Sequence, residues 1–185
     1  MTVVLNFLKL GVIVVISAIY ASPAFADLQL PSELSRLDTQ TDGGKMPEPA
    51  LFIETDGRER DLRDLEGTVL LVNLWATWCA PCIKEMPELD RLAAALDGQD
   101  FRVLALSQDR GGADVVAKFY ADNAIENLDI VLDPRGATAR AFGARGLPTS
   151  FVIDADGQVV GRLEGIAKWD DPDVIAWLRD LATGP

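Results

Sequence analysis

The chain has 185 residues, 49% of them hydrophobic, which suffices for one ordinary core and not two. It contains no histidine, so Cys–His and Ser–His nucleophilic catalysis and His-ligated metal sites are excluded. Its 29 acidic and 17 basic residues leave a formal charge of −12, the wrong sign for a nucleic-acid partner.

Residues 1–26 differ in kind from the rest. Leu10 to Ala21 is nearly all apolar, and Ala24-Phe25-Ala26 has the small-x-small form of a cleavage site. This reads as a secretory signal peptide, with an uncleaved membrane anchor as the alternative. Either places the folded part outside the cytoplasm, where disulfides persist. Residues 27–46 are polar, carry Thr41-Asp-Gly-Gly44, and read as a flexible leader. Residues 47–185 read as one folded domain.

Within that domain, Leu51–Ile53, Asp56-Gly57 and the charged stretch after them predict a small β-hairpin ahead of the core. Val69 to Trp75 is a buried strand, and Cys79 to about Leu96 a helix with Pro87 inside it. Phe101 to Leu106 is the next strand. Ala113 to Asn123 is a helix with Val115, Val116, Phe119 and Tyr120 on its apolar face. Asp129–Leu132 is a short strand and Ala137–Phe142 a short helix. Thr149–Ile153 and Gln158–Leu163 flank Asp154-Ala-Asp156-Gly157 as a hairpin. The last helix has Asp171 as N-cap and Pro172 at its first position, and buries Val174, Ile175, Leu178 and Leu181. Strands alternating with helices, then a terminal hairpin, predict an α/β fold: a mixed central sheet flanked by helices.

The whole thiol inventory is two cysteines, in Trp75-Ala-Thr-Trp78-Cys79-Ala-Pro81-Cys82. One helical turn puts Cys79 and Cys82 on the same face, within bridging distance of each other. At a helix tip, Cys79 would meet free backbone N–H groups and the positive end of the dipole, which favour its thiolate. Pro81 fits the first turn, where its missing N–H is no loss. An inert structural disulfide would close too short a loop to add much stability. A four-cysteine metal site would need a second pair. Redox exchange is therefore expected, with Cys79 attacking and Cys82 resolving. Glu85, three residues beyond Cys82, is placed to take the Cys82 proton, with an ordinary solvated helix residue as the alternative. Trp78 is expected on an apolar rim where a substrate docks, and Trp75 in the core. Pro148, at the entry to a strand, occupies a position where proline is confined to special roles.

Residues from about 47 to 183 resemble the thioredoxin superfamily, and within it the extracytoplasmic TlpA/ResA-type thiol–disulfide oxidoreductases. The matching segments run from Trp75 through Cys79-Ala-Pro81-Cys82-Ile-Lys-Glu85-Met86-Pro87, and from Gly146-Leu147-Pro148-Thr149 to Asp154, then Asp156-Gly157. The resemblance implies a thioredoxin-like fold with an inserted helix and strand, and a cis Leu147–Pro148 bond. It also implies a nucleophilic Cys79, a resolving Cys82 and a buried Glu85. Pro81 and Leu147 would join Trp78 in binding substrate, with no metal and no organic cofactor. Implied partners are a membrane dithiol electron donor and protein disulfides, among them apocytochrome c or copper-centre assembly proteins. Two positions depart from the pattern. Asn73 stands where cytoplasmic thioredoxins carry aspartate, which shifts acid–base work onto Glu85. Leu147 stands where valine or threonine is commoner. A thiol peroxidase and a copper(I) carrier are the competing functions.

Overall fold

The computed structural model describes residues 29–39 and 44–184. The expected signal peptide or anchor at 1–26 lies outside the described residues. The described elements are β1 (Leu51–Ile53), β2 (Glu59–Asp61), β3 (Val69–Trp75), α1 (Ala80–Ala95), β4 (Phe101–Ser107), α2 (Ala113–Asp122), β5 (Val131–Leu132), α3 (Ala137–Ala141), β6 (Thr149–Ile153), β7 (Val159–Glu164) and α4 (Pro172–Thr183). Asp171 caps α4 through its side chain, with Pro172 behind it, as expected.

The strands form one mixed sheet in the order β2-β1-β5-β4-β3-β6-β7. β3 pairs parallel with β4, and β4 with β5, while β6 and β7 run antiparallel. Every residue of β3 is buried, because both faces of this central strand are covered. Side chains alternate across it. Val69, Leu71 and Trp75 enter the core beneath α1, α2 and α4. Leu70, Val72 and Leu74 enter a second core with Phe52, Leu106, Ala139 and Phe151. Asn73 shares the parity of Leu71 and Trp75 and so faces the α1 side.

Three findings depart from the sequence reading. The β1–β2 hairpin forms, but β1 also pairs with β5 through Ile53 and Leu132, so it extends the central sheet. On α2, Val116 and Tyr120 are buried while Val115 stays exposed. Neighbouring helix positions point about 100° apart, so Val115 and Val116 cannot both face the sheet. The described part of the expected leader is docked. Leu34 and Leu37 are buried in the α1-side core and Met46 in the other. Asp38 bridges Arg162 and Lys45 bridges Gln158, so the leader covers the edge of β7. Arg36 donates to the Ile166 carbonyl. Two buried leucines, worth about 1.5–3 kcal/mol each when fully removed from water, outweigh the polarity of their neighbours.

Candidate active site

The dithiol sits where β3 gives way to α1. β3 ends at Trp75, whose Nε1–H donates to the Ala105 carbonyl at 3.1 Å. Ala76-Thr77-Trp78 then turns the chain. Asp109, at the C-terminal end of the neighbouring parallel strand, clamps that turn. Thr77 donates to it through its backbone N–H (2.8 Å) and through its hydroxyl (2.7 Å), and Ser107 Oγ donates at 2.9 Å. Cys79 is the N-cap of α1, in extended conformation, and its Sγ accepts the Cys82 N–H at 3.3 Å. An N-cap sulfur thus occupies the place of the usual capping oxygen. Cys79 and Cys82 are joined as a disulfide, with Cα atoms 5.2 Å apart. Cys79 is 6% exposed and Cys82 fully buried, so the sulfur at the helix tip is the accessible one.

Glu85 is 1% exposed. It accepts from Asn73 Nδ2 at 2.9 Å and from Trp169 Nε1 at 3.1 Å. Asn73 Nδ2 also donates to Ser150 Oγ at 3.0 Å. Burial pushes the Glu85 carboxyl from its ordinary 4.5 up to about 7, against the pull of its hydrogen-bond donors. It therefore titrates near neutrality, where a proton acceptor is most useful. It stands one turn beyond Cys82 on the buried face of α1. A cleft of about 380 Å3 reaches it, walled by Lys84, Glu88 and Lys168 and, from the leader, by Ser32, Glu33, Ser35 and Arg36.

Pro148 is buried and its bond to Leu147 is cis. Thr149 Oγ1 donates back to the Gly146 carbonyl at 2.8 Å. Leu147 is half-buried and packs on the cluster that holds Cys79 and Cys82. Trp78 is 69% exposed, and it lines one cleft together with Leu147. Pro81 lies exposed on the first turn of α1. Sequence reasoning missed Trp169, Asp109 and Ser150. Among the described residues, no group of three or more Cys, Asp or Glu side chains is arranged to hold a metal ion. The Thr77 hydroxyl is turned to Asp109.

Residues 43–162 match the AhpC/TSA family model. The chain belongs to that family. Its relatives include the thiol–disulfide oxidoreductase ResA of Bacillus thuringiensis subsp. konkukian, 33% identical over 116 residues, which are 62% of this chain and 66% of that protein. ResA of Geobacillus thermodenitrificans is 31% identical over 118 residues, 64% of this chain and 67% of the relative. The matched segment thus spans about two thirds of those proteins. Among solved structures, a protein assigned as the thiol:disulfide interchange protein DsbE of Chlorobium tepidum superposes with a TM-score of 0.62 at 30% identity. That match covers 74% of this chain and 96% of the other. The exposed lipoprotein thioredoxin of Streptococcus pneumoniae gives 0.58 at 26% identity, covering 71% and 98%. The fold is thioredoxin-like and the family resemblance is to the ResA type.

Proposed function

We propose that this protein is a thiol–disulfide oxidoreductase that reduces disulfides in partner proteins outside the cytoplasm. The observation that carries the reading is the joining of Cys79 and Cys82 at the tip of α1, with a buried carboxyl titrating near neutrality one turn behind. In the reduced protein, the Cys79 thiolate attacks one sulfur of a partner disulfide. A mixed disulfide forms and the partner's other sulfur leaves as thiolate. Glu85 takes the proton from Cys82, whose thiolate then attacks Cys79 Sγ. The partner's second sulfur leaves, and the Cys79–Cys82 disulfide remains. Two electrons have passed to the partner. A second dithiol, supplied by a membrane electron donor, returns the protein to its reduced form.

Several features support the direction and the compartment. Ala80-Pro81 places no positive charge between the cysteines, and the Glu85 carboxylate disfavours a buried thiolate at Cys82. Reduction therefore gains little from thiolate stabilisation, which is the mark of a reductant. The apolar run at 10–21 with Ala24-Phe25-Ala26 supports export, as do relatives named as an exposed lipoprotein and a secreted isomerase. No helix among the described residues is long and apolar enough to cross a membrane. Partner proteins are those that present an accessible disulfide, with apocytochrome c and copper-centre assembly proteins as the family-implied candidates.

The test is trapping. Cys82→Ser should accumulate a mixed disulfide through Cys79, separable on a non-reducing gel and released by dithiothreitol. The Cys79→Ser protein should trap nothing. Equal trapping by both variants would remove Cys79 from the attacking role.

A further inference from the structure

A cleft of about 780 Å3 opens beside the dithiol, between Trp78 and Leu147 on one side and α3 on the other. Arg110, Arg135, Arg140 and Arg145 line it. The protein carries 17 basic and 29 acidic residues, yet among the described residues four of the former and none of the latter form this lining. Arg145 bonds Glu164 through Nε and Nη2, at 3.1 and 3.0 Å. Arg135 comes only within 3.9 Å of Glu59. Arg110 and Arg140 have no ion-pair partner among the described residues. The Arg140 guanidinium is held over the cleft by donating to the Arg135 carbonyl at 2.7 Å. Gln108, also in the lining, has its Nε2 buried without an acceptor among the described residues. The cleft is thus furnished with donors and lacks acceptors of charge.

We infer that this cleft binds an acidic segment of the substrate protein, lying a few residues from the disulfide under attack. The inference deepens the oxidoreductase reading and rests on it. Trp78 adjoins Cys79 in the chain, Leu147 packs on the cluster that holds the dithiol, and both line the cleft, so a substrate chain bonded to Cys79 that runs over them reaches it. An extended chain advances about 3.3 Å per residue. Carboxylates about two to four residues from the cysteine then lie roughly 7–13 Å away, the scale of a cleft of this volume. Arginine's planar fork matches a carboxylate in two hydrogen bonds, so the cleft also sets the direction in which the segment lies. The net charge of −12 repels acidic proteins at long range. The arginines act within about 10 Å, so they reward only a partner that presents its acid at the right place. The arrangement selects orientation as well as sign.

The experiment uses the full chain, reduced and desalted, reacted with peptides carrying one disulfide. One peptide has Asp and Glu flanking a half-cystine, and its twin has Asn and Gln. Each reaction converts the Cys79/Cys82 dithiol to its disulfide and the peptide disulfide to two thiols, so the oxidising equivalents come from the peptide. At low ionic strength, the acidic peptide should react at least about fivefold faster than its twin, and about 0.5 M salt should erase most of that ratio. The ratio should fall toward one in the Arg110→Ala/Arg140→Ala protein and survive in Arg110→Lys/Arg140→Lys, which keeps the charge. A ratio near one in the unaltered protein, or one retained in the alanine variant, overturns the inference. So does an arginine-dependent advantage confined to glutathione disulfide, which would make the cleft a site for small anions. If the unaltered protein reduces neither peptide, the oxidoreductase reading itself falls first.

Discussion

Two clefts flank the dithiol, one of mixed charge along α1 and one basic beside α3. The one beside α1 ends at a carboxyl pushed up to about 7 by burial, held by Asn73 and Trp169. The one beside α3 is open, lined by four arginines and free of carboxylates among the described residues. The cleft that reaches Glu85 is walled by both signs, Glu33 and Glu88 beside Arg36, Lys84 and Lys168, and burial leads the rise of its carboxyl. The sheet keeps the two clefts apart. Asn73 faces α1 by strand parity, while Ala139 of α3 packs in the core on the other face. If Glu85 handles the proton and the arginines meet the substrate, as proposed, each region can be broken without the other.

The largest expected effect is Glu85→Gln. Gln is close in shape and keeps an acceptor for the donors around it, so the fold should survive. Disulfide exchange should slow on the order of 100-fold, the low end for loss of a general base. The pH dependence should change with it. In the native protein the resolving step should gain rate as pH rises through about 7, where the carboxylate forms. The variant should lose that limb and follow only thiol ionisation at roughly pH 8.5. Stopped-flow kinetics across pH measures this. An unchanged profile would make Glu85 a structural residue and end the division between the clefts.

The same carboxyl fixes a stability trend. Its value is 4.5 in ordinary surroundings and about 7 in the fold. Folding therefore favours the protonated form, and that contribution is whole below pH 4.5 and lost as pH rises through about 7. The full swing is on the order of 3 kcal/mol. Urea unfolding of the oxidised protein, where neither cysteine titrates, should show a loss of stability over that window. Glu85→Gln should flatten it. A parallel slope in both proteins would contradict the burial of the charge.

The contrast between the clefts also explains what could be read from the chain. The Cys79 tip, Cys82 behind it and Glu85 beyond were legible because all lie on one helix, where spacing alone sets the face. The strands and the α4 cap were legible for the same local reason. Trp169 was not, since it reaches Glu85 from 84 positions away and no periodicity marks it. Asp109 reaches Thr77 from 32 positions away, through a parallel pairing that no local pattern specifies. The arginines come from the loop after β4, from α3 with its preceding loop, and from the segment before β6, so only the assembled topology gathers them. Leu34 and Leu37 were lost among polar neighbours because their partners are strand β7 and the core, not each other.

Trp169→Phe sharpens the α1 side. It removes one of the donors that hold the carboxyl down against burial. A hydrogen bond to a charged group is worth about 1.5 kcal/mol at the low end, or about one pKa unit. The Glu85 midpoint should therefore rise by up to about one unit, moving the kinetic limb the same way and leaving the acidic-to-neutral peptide ratio untouched. A carboxyl-selective infrared or NMR titration reads the midpoint directly. A change in the peptide ratio without a shift in midpoint would mean that the two clefts are coupled.

The smallest expected effect moves the midpoint the other way, through the leader. Ser32, Glu33, Ser35 and Arg36 wall the cleft that reaches Glu85. The leader is seated by Leu37, whose side chain lies on Gly161 of β7. A methyl added at Gly161 would fall 2.6 Å from the Leu37 Cγ and Cδ2 atoms, so the leucine must move. Gly161→Ala should lower stability by about 1–3 kcal/mol, since the clash is with a buried leucine that must repack. Loosening the wall admits water to Glu85, and hydration favours the charged form. The midpoint should therefore fall toward 4.5 by a few tenths of a unit. Leu37→Ala, which unseats the same segment by losing its anchor, should shift it in the same direction. A midpoint unmoved by both variants would show that α1 and Trp169 alone keep Glu85 dry.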